Sequence, residues 1–179
     1  MKEISLNILD ITKNSVRAGA TLIKIDINTD SEGMLTITIT DNGCGMDEDM
    51  LKDVTDPFCT TRTTRKVGLG LPLLKMAAEQ TGGGLFLTSS TEKGNSGTEL
   101  RAVFDTKSID CMPMGDIIST VCILIAGSPE IDFIFIDRTP TRCVSLNTAE
   151  LKEVLGGISL AEPEVQNWIS EYLKDQYLQ

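Results

Sequence analysis

The sequence predicts an α/β protein in which a sheet carries helices on one face. Three observations predict it. Apolar residues recur at helical spacing in some segments and alternate strictly in others. The two kinds follow one another as α-β-β-α-loop-α-β-β through residue 105. Glycine, proline and Asx signals punctuate the boundaries between them.

The first helix spans residues 4–18, with Ile4, Ile8 and Ile11 on one stripe and Gly19 closing it. "TLIKIDINT" alternates as a strand, and "DSEGM" turns the chain into a second one. There Leu35, Ile37 and Ile39 alternate with Thr36, Thr38 and Thr40, and the run stops at Asp41-Asn42-Gly43-Cys44-Gly45. Asn-Gly between two strands would mark a hairpin, but an acidic helix start over 47–53 follows instead. Gly43 and Gly45 are therefore either plain turn glycines or loop glycines that let backbone approach a ligand. "DPFCTTRTTRKVGLG" has no periodicity and reads as a loop. "LGLPLLKMAAEQTGGG" is a helix with Pro72 in its first turn and glycines at its end, the expected asymmetry. "LFLTSST" and "GTELRAVF" are strands about a turn at Lys93-Gly94-Asn95. Past Asp105, Asp116 caps a helix running to Ala126. "IDFIFID" and "RCVSL" form a hairpin. Asn147 or Thr148 caps a helix ending at Gly156-Gly157. A last amphipathic helix after Pro163 carries Val165, Trp168, Ile169, Tyr172 and Leu173.

A chain of 179 residues is one domain, or one domain with an extension. No apolar run is long enough to span a membrane, and the N-terminus lacks the features of a secretion signal. A cytoplasmic protein is expected, its five cysteines reduced thiols. The net charge of -10 argues against a nucleic-acid partner, which would need clustered cations. The absence of histidine excludes a Ser-His-Asp triad, a histidine metal site and a phosphohistidine on this chain.

Asp10 and Asn14 lie four apart, on one face of the first helix. They are either part of a solvated face or a working pair. An Asn carbonyl is a hard ligand suited to Mg²⁺, and a carboxylate one turn away can deprotonate an attacking water or hydroxyl. Gly68 to Leu71 run from loop into helix, where exposed amides attract phosphate; alone, the signal is weak. Residues 60–66 add cations and hydroxyls, as a flexible basic loop or as a lid over phosphates. Asp41 is suited to accept a hydrogen bond from the amino group of adenine and to reject the carbonyl of guanine. Thr98 would place a hydroxyl beside the same base.

With these elements in order, the sequence resembles the GHKL ATPase superfamily of DNA gyrase, the ninety-kilodalton heat-shock chaperone, histidine kinases and MutL-type repair proteins. "DITKN" resembles the family's N box and "DNGCGM" its first glycine box. "DPFCTTR" through "GLGL" resembles the lid and second glycine box, and "SGTEL" the last box. The resemblance covers residues 4–104. Its first half is most similar to MutL and its second to a histidine kinase. It implies a two-layer α/β sandwich, the Bergerat fold, with a mixed sheet and helices on one face. It implies an ATP-binding domain over 1–105, with 106–179 as a C-terminal α/β extension that packs on the core or forms a partner surface. ATP and Mg²⁺ would lie between the helices and the lid. Carried over residue by residue, Asp10 would be catalytic and Asn14 would hold the metal. The nucleotide would meet Asn14, Asp41, Gly43, Gly45, Met46, Thr60, Thr61, Arg62, Gly68, Leu69, Gly70, Leu71 and Thr98.

The chain also departs from the pattern. MutL and gyrase carry Glu where this chain has the shorter Asp10. Their following domain supplies a lysine to the terminal phosphate, and residues 106–179 are short for it. A histidine kinase needs an acceptor histidine, which is missing. Two expectations follow for a stand-alone, histidine-kinase-like ATP-binding protein. One is Mg²⁺-dependent ATP hydrolysis or phosphoryl transfer to a partner protein, as in the small anti-sigma serine kinases. The other is an ATP-gated binding module with negligible catalysis. The expected partner is a protein or a second copy of the chain, with neither nucleic acid nor membrane involved.

Overall fold

The computed structural model describes residues 3–54 and 70–179. Six helices and six strands alternate along them. They are α1 (Ile4–Arg17), β1 (Leu22–Thr29), β2 (Met34–Asp41), α2 (Glu48–Val54), α3 (Gly70–Gln80), β3 (Gly84–Ser90), β4 (Gly97–Asp105), α4 (Ile117–Gly127), β5 (Asp132–Thr139), β6 (Arg142–Asn147), α5 (Thr148–Leu155) and α6 (Pro163–Leu178). One six-stranded sheet has the order β3-β4-β2-β1-β5-β6. It is mixed. The β1/β2, β2/β4, β3/β4 and β5/β6 pairs are antiparallel, and β5 runs parallel to β1. A parallel neighbour cannot be reached by a tight turn; here the chain crosses from β4 to β5 through α4.

Alternation along each strand fixes which face is buried. Ile23, Ile25 and Ile27 of β1, Leu35, Ile37 and Ile39 of β2, and Phe133 and Phe135 of β5 all point into the core. Ile25 lies opposite both Ile39 and Phe135 across the two ladders. Each such side chain contributes about 1.5–3 kcal/mol by leaving water. The intervening threonines, Thr36 and Thr38, are half-exposed on the other face. Over the buried face α1 packs between α3 and α4, and α4 packs in turn on α6.

The segment after β4 does more than join this sheet. The amides of Ile4 and Ser5 donate to the carbonyls of Pro113 and Met114, at 3.0 and 2.8 Å. Those amides begin α1 and have no partner within the helix, so residues just before α4 complete the start of α1. Asp116 caps α4 by accepting from the Ser119 amide. Of the two candidate caps for α5, Asn147 takes the role, accepting from the Ala149 amide at 3.1 Å. At the sheet edge, Gln176 of α6 both accepts from and donates to the Ser145 backbone. A side-chain amide there stands in for a further strand and blunts the exposed edge.

Helix α6 divides its apolar residues. Val165, Ile169 and Leu173 are buried, whereas Trp168 and Tyr172 stack on each other at 4.9 Å and stay half in solvent.

Candidate functional site

The stripe Ile4, Ile8, Ile11 continues one turn further to Ser15, which is also buried. Its hydroxyl donates to Asp41 Oδ2 at 2.5 Å. Asp41 ends the core-facing series Leu35, Ile37, Ile39, so its carboxylate is carried inward by the same alternation. The Gly43 amide donates to its other oxygen at 2.9 Å. Each oxygen is thus fixed by one donor and retains acceptor capacity, because an ionised carboxylate offers about four lone-pair sites.

A cavity of about 290 Å³ opens beside this carboxylate. Its walls are largely apolar, from Ile11, Ile39, Met46, Met50, Leu71 and Leu100, and its polar edge comprises Asn14, Ser15, Arg17, Asp41 and Thr98. Thr98 sits directly opposite Asp41 in the β2/β4 ladder. Ser89 organises this corner. Its hydroxyl lies 2.8 Å from the Thr98 hydroxyl, accepts from the Met46 amide at 2.8 Å and donates to the Gly97 carbonyl.

The glycines answer to close packing within the chain. A Cβ on Gly45 (φ +70°) would lie 1.9 Å from the Ser90 carbonyl oxygen. One on Gly97 would lie 2.1 Å from the Asp41 carbonyl oxygen. A Cβ on Gly43 would crowd Ala18 and the Asp41 side chain at about 3 Å. Gly43 and Gly45 therefore hold the loop against the ends of α1 and β3. Gly45 also lines the cavity; Gly43 is buried behind it.

The remaining predicted residues divide. Asn14 lines the cavity, and its side-chain oxygen lies 3.4 Å from Arg17 Nη1. Asp10 is exposed one turn earlier on α1 and is not among the described residues that line the cavity. Gly70 opens α3, and Leu71 is buried against the cavity. Thr60, Thr61, Arg62, Gly68 and Leu69 lie outside the described residues.

Sequence reasoning missed Ser15 and Ser89, although both carry a signal. Each is a polar residue at a core-facing position: Ser15 on the helical stripe, Ser89 on the alternating series Leu85, Leu87, Ser89. Arg17 was missed too, and a lone arginine near a helix end gives no such signal.

Residues 2–108 match the family model described as "Histidine kinase-, DNA gyrase B-, and HSP90-like ATPase". The chain belongs to this family. It is 31% identical over 105 residues to a putative sensor protein of Shewanella frigidimarina, covering 58% of this chain and 15% of that protein. It is 27% identical over 170 residues to the DNA mismatch repair protein MutL of Bartonella quintana, covering 88% of this chain and 25% of MutL. The chain thus spans a quarter or less of the length of these relatives. Among solved structures, the Aquifex aeolicus MutL ATPase domain complexed with ADP superposes with a TM-score of 0.53 at 14% identity. That likeness covers 87% of this chain and 70% of the other, and shows the two-layer fold. Both MutL likenesses reach past the span of the family model, into the strands and helices that follow β4. Among the described residues no helix is long and apolar enough to cross a membrane.

Proposed function

We propose that this chain binds ATP with Mg²⁺ in the cavity beside Asp41, and that it hydrolyses ATP or passes its terminal phosphoryl group to a partner protein. The observation that carries this reading is the oriented carboxylate of Asp41 on the wall of an otherwise apolar cavity. Apolar walls suit the faces of a purine, and a fixed acceptor suits the adenine amino group. Guanine would set its carbonyl against Asp41, leaving two acceptors unpaired. Thr98, held by Ser89, would place its hydroxyl near the same base.

The donor set also fits the metal. Mg²⁺ on a nucleotide needs only one or two protein oxygens, and Asn14 brings a side-chain amide oxygen to the cavity lining. Asn14 would supply that oxygen once Arg17 turns from it. The bound ion would neutralise charge on the phosphates. Asp10, further along the exposed side of α1, would accept the proton of the attacking water or protein hydroxyl. The net charge of -10 favours a protein over a nucleic acid as the second substrate.

A second reading is supported by the exposure of Asp10 and its place away from the described lining of the cavity. In it, ATP is held with negligible turnover and switches the binding of a protein.

Calorimetry with ATP and GTP, with and without Mg²⁺, tests binding; equal affinity for both nucleotides would overturn the role of Asp41. Asn14→Ala should weaken Mg²⁺-dependent binding. Asp10→Asn should keep affinity within a few-fold while any phosphoryl transfer falls by about 10²-fold or more. Asp10→Glu should raise basal hydrolysis if Asp10 is simply too short. Equal turnover in wild type and both Asp10 variants would hand the lead to the binding module.

A further inference from the structure

Away from the nucleotide cavity, α5 and the start of α6 enclose a second concavity of about 910 Å³. Leu151, Val154, Leu155 and Ile158 follow one another at i, i+3, i+4 and i+7, and all four line it. Leu151, Val154 and Leu155 share one face of α5, and Ile158, past the Gly156-Gly157 turn that ends the helix, extends the same apolar strip toward solvent. Val154 is 83% exposed, Ile158 56% and Trp168, on the opposite wall, 50%. Scattered apolar residues on a surface need no explanation, but a contiguous groove of them with a polar rim marks an interaction site.

The charge on the rim selects the occupant. Glu162 and Glu164 flank Pro163 in the groove lining, and among the described residues no Lys or Arg lines it. The cation of α5 is engaged elsewhere: Lys152 Nζ donates to the carbonyls of Glu130 and Ile131 and to Asp132, at 2.7–3.0 Å. Lys174 of α6 pairs with Glu171 at 2.9 Å. A second copy meeting this groove with its own would bring two more carboxylates and no lining cation among the described residues to pair with them, and unpaired like charges in an interface are disfavoured.

We propose that this groove docks an amphipathic helix of a partner protein, with aliphatic anchors at i, i+3 or i+4 and i+7 and Lys or Arg on its flanks. Such a helix lays its apolar face in the groove and its cations against Glu162 and Glu164. The site is separate from the nucleotide cavity, so it can hold a partner whether or not ATP is turned over.

Trp168 is the only tryptophan in the chain and stands in the groove wall, so its emission reports occupancy. The probes are two tryptophan-free 18-residue helical peptides with the same leucine face, one flanked by Lys and the other by Glu. The lysine peptide should shift Trp168 emission to the blue and bind at least tenfold more tightly than the glutamate peptide, less so at high salt. Read by anisotropy of a labelled peptide, Val154→Asp should weaken binding at least tenfold, and Glu162→Gln with Glu164→Gln several-fold. ATP affinity should be unchanged in all these variants, which shows them folded and separates this proposal from the nucleotide reading. Binding without a change in Trp168 emission, or equal binding of both peptides, overturns it. So does a dimer in sedimentation that Val154→Asp dissociates, since the occupant would then be a second copy.

Discussion

Asp41 ends β2 and Asp137 lies two residues before the end of β5; both close apolar alternating runs that look alike in sequence, "TITITD" and "IDFIFID", and both face the helical layer. Their surroundings separate them. Asp137 is 7% exposed, and its Oδ2 takes the Tyr177 hydroxyl at 2.6 Å, with Arg142 Nη2 at 4.0 Å. The Arg142 guanidinium also lies over the Tyr177 ring, 4.6 Å from its centre. Among the described residues Asp41 has one hydroxyl, one backbone amide and no cation, and it borders an apolar cavity. A carboxylate supplied with a cation and a phenol by its own chain serves as a clasp, here between α6 and β5. One given only orienting donors still has acceptor capacity to spend on a ligand.

The largest effect should come from removing the clasp's half of the sheet. Ending the chain after Asp105 takes β5 from β1 and α4 from α1, uncovering Ile4 and Ile8 and leaving the first amides of α1 without Pro113 and Met114. The truncated chain should aggregate or lose cooperative unfolding; a soluble fragment as stable as the whole chain would show residues 106–179 to be an appendage.

Asp41→Asn should cost ATP affinity by about 10²-fold or more while the melting temperature holds, because the amide presents donors where an acceptor is needed. Unchanged affinity by calorimetry would make Asp41 another clasp.

Tyr177→Phe should do the reverse. ATP affinity should hold, and unfolding by denaturant should show a loss of about 1.5–3 kcal/mol, the usual worth of a hydrogen bond to a charged group. The pH dependence sharpens this. Burial first, and then the bond to Asp137, push the Tyr177 phenol well above its ordinary value of 10.0. The folded chain keeps this proton where the unfolded chain releases it. The stabilisation is therefore full below about pH 10 and is lost as pH rises beyond it. Wild type should lose stability in that range more steeply than Tyr177→Phe, and parallel curves would show that the phenol is not held as described.

The smallest expected effect is at Ser15→Ala. Asp41 would keep the Gly43 amide but lose its hydroxyl, and ATP affinity should fall about fivefold, near 1 kcal/mol. A loss as large as that of Asp41→Asn would mean that Ser15 itself meets the nucleotide.

Most element boundaries were legible in the sequence because they are local. Alternation in "LTITIT", the stripe Ile4, Ile8, Ile11, the cap Asp116 and the glycines after Leu155 each act within a few residues, and the chain follows them. The ordered boxes likewise gave the family, since a nucleotide fold repeats the same short solutions. Ser15 and Ser89 were legible in principle, as polar residues on apolar registers.

Long-range placement was not. No local signal says that "IDFIFID" pairs parallel to "LIKIDIN", because the register Ile25–Phe135 is chosen by which strand is free after α4 has crossed the sheet. Nor does one say that α6 buries Ile169 and leaves Trp168 outside, since a helix face is decided by what packs against it. Local sequence carried the elements, the family and the placing of Asp41 and Asp137 on the core-facing registers of β2 and β5. Only the tertiary structure decided which carboxylate meets a cation of its own chain and which meets a cavity, because partners far apart in sequence are chosen by packing and not by local propensity.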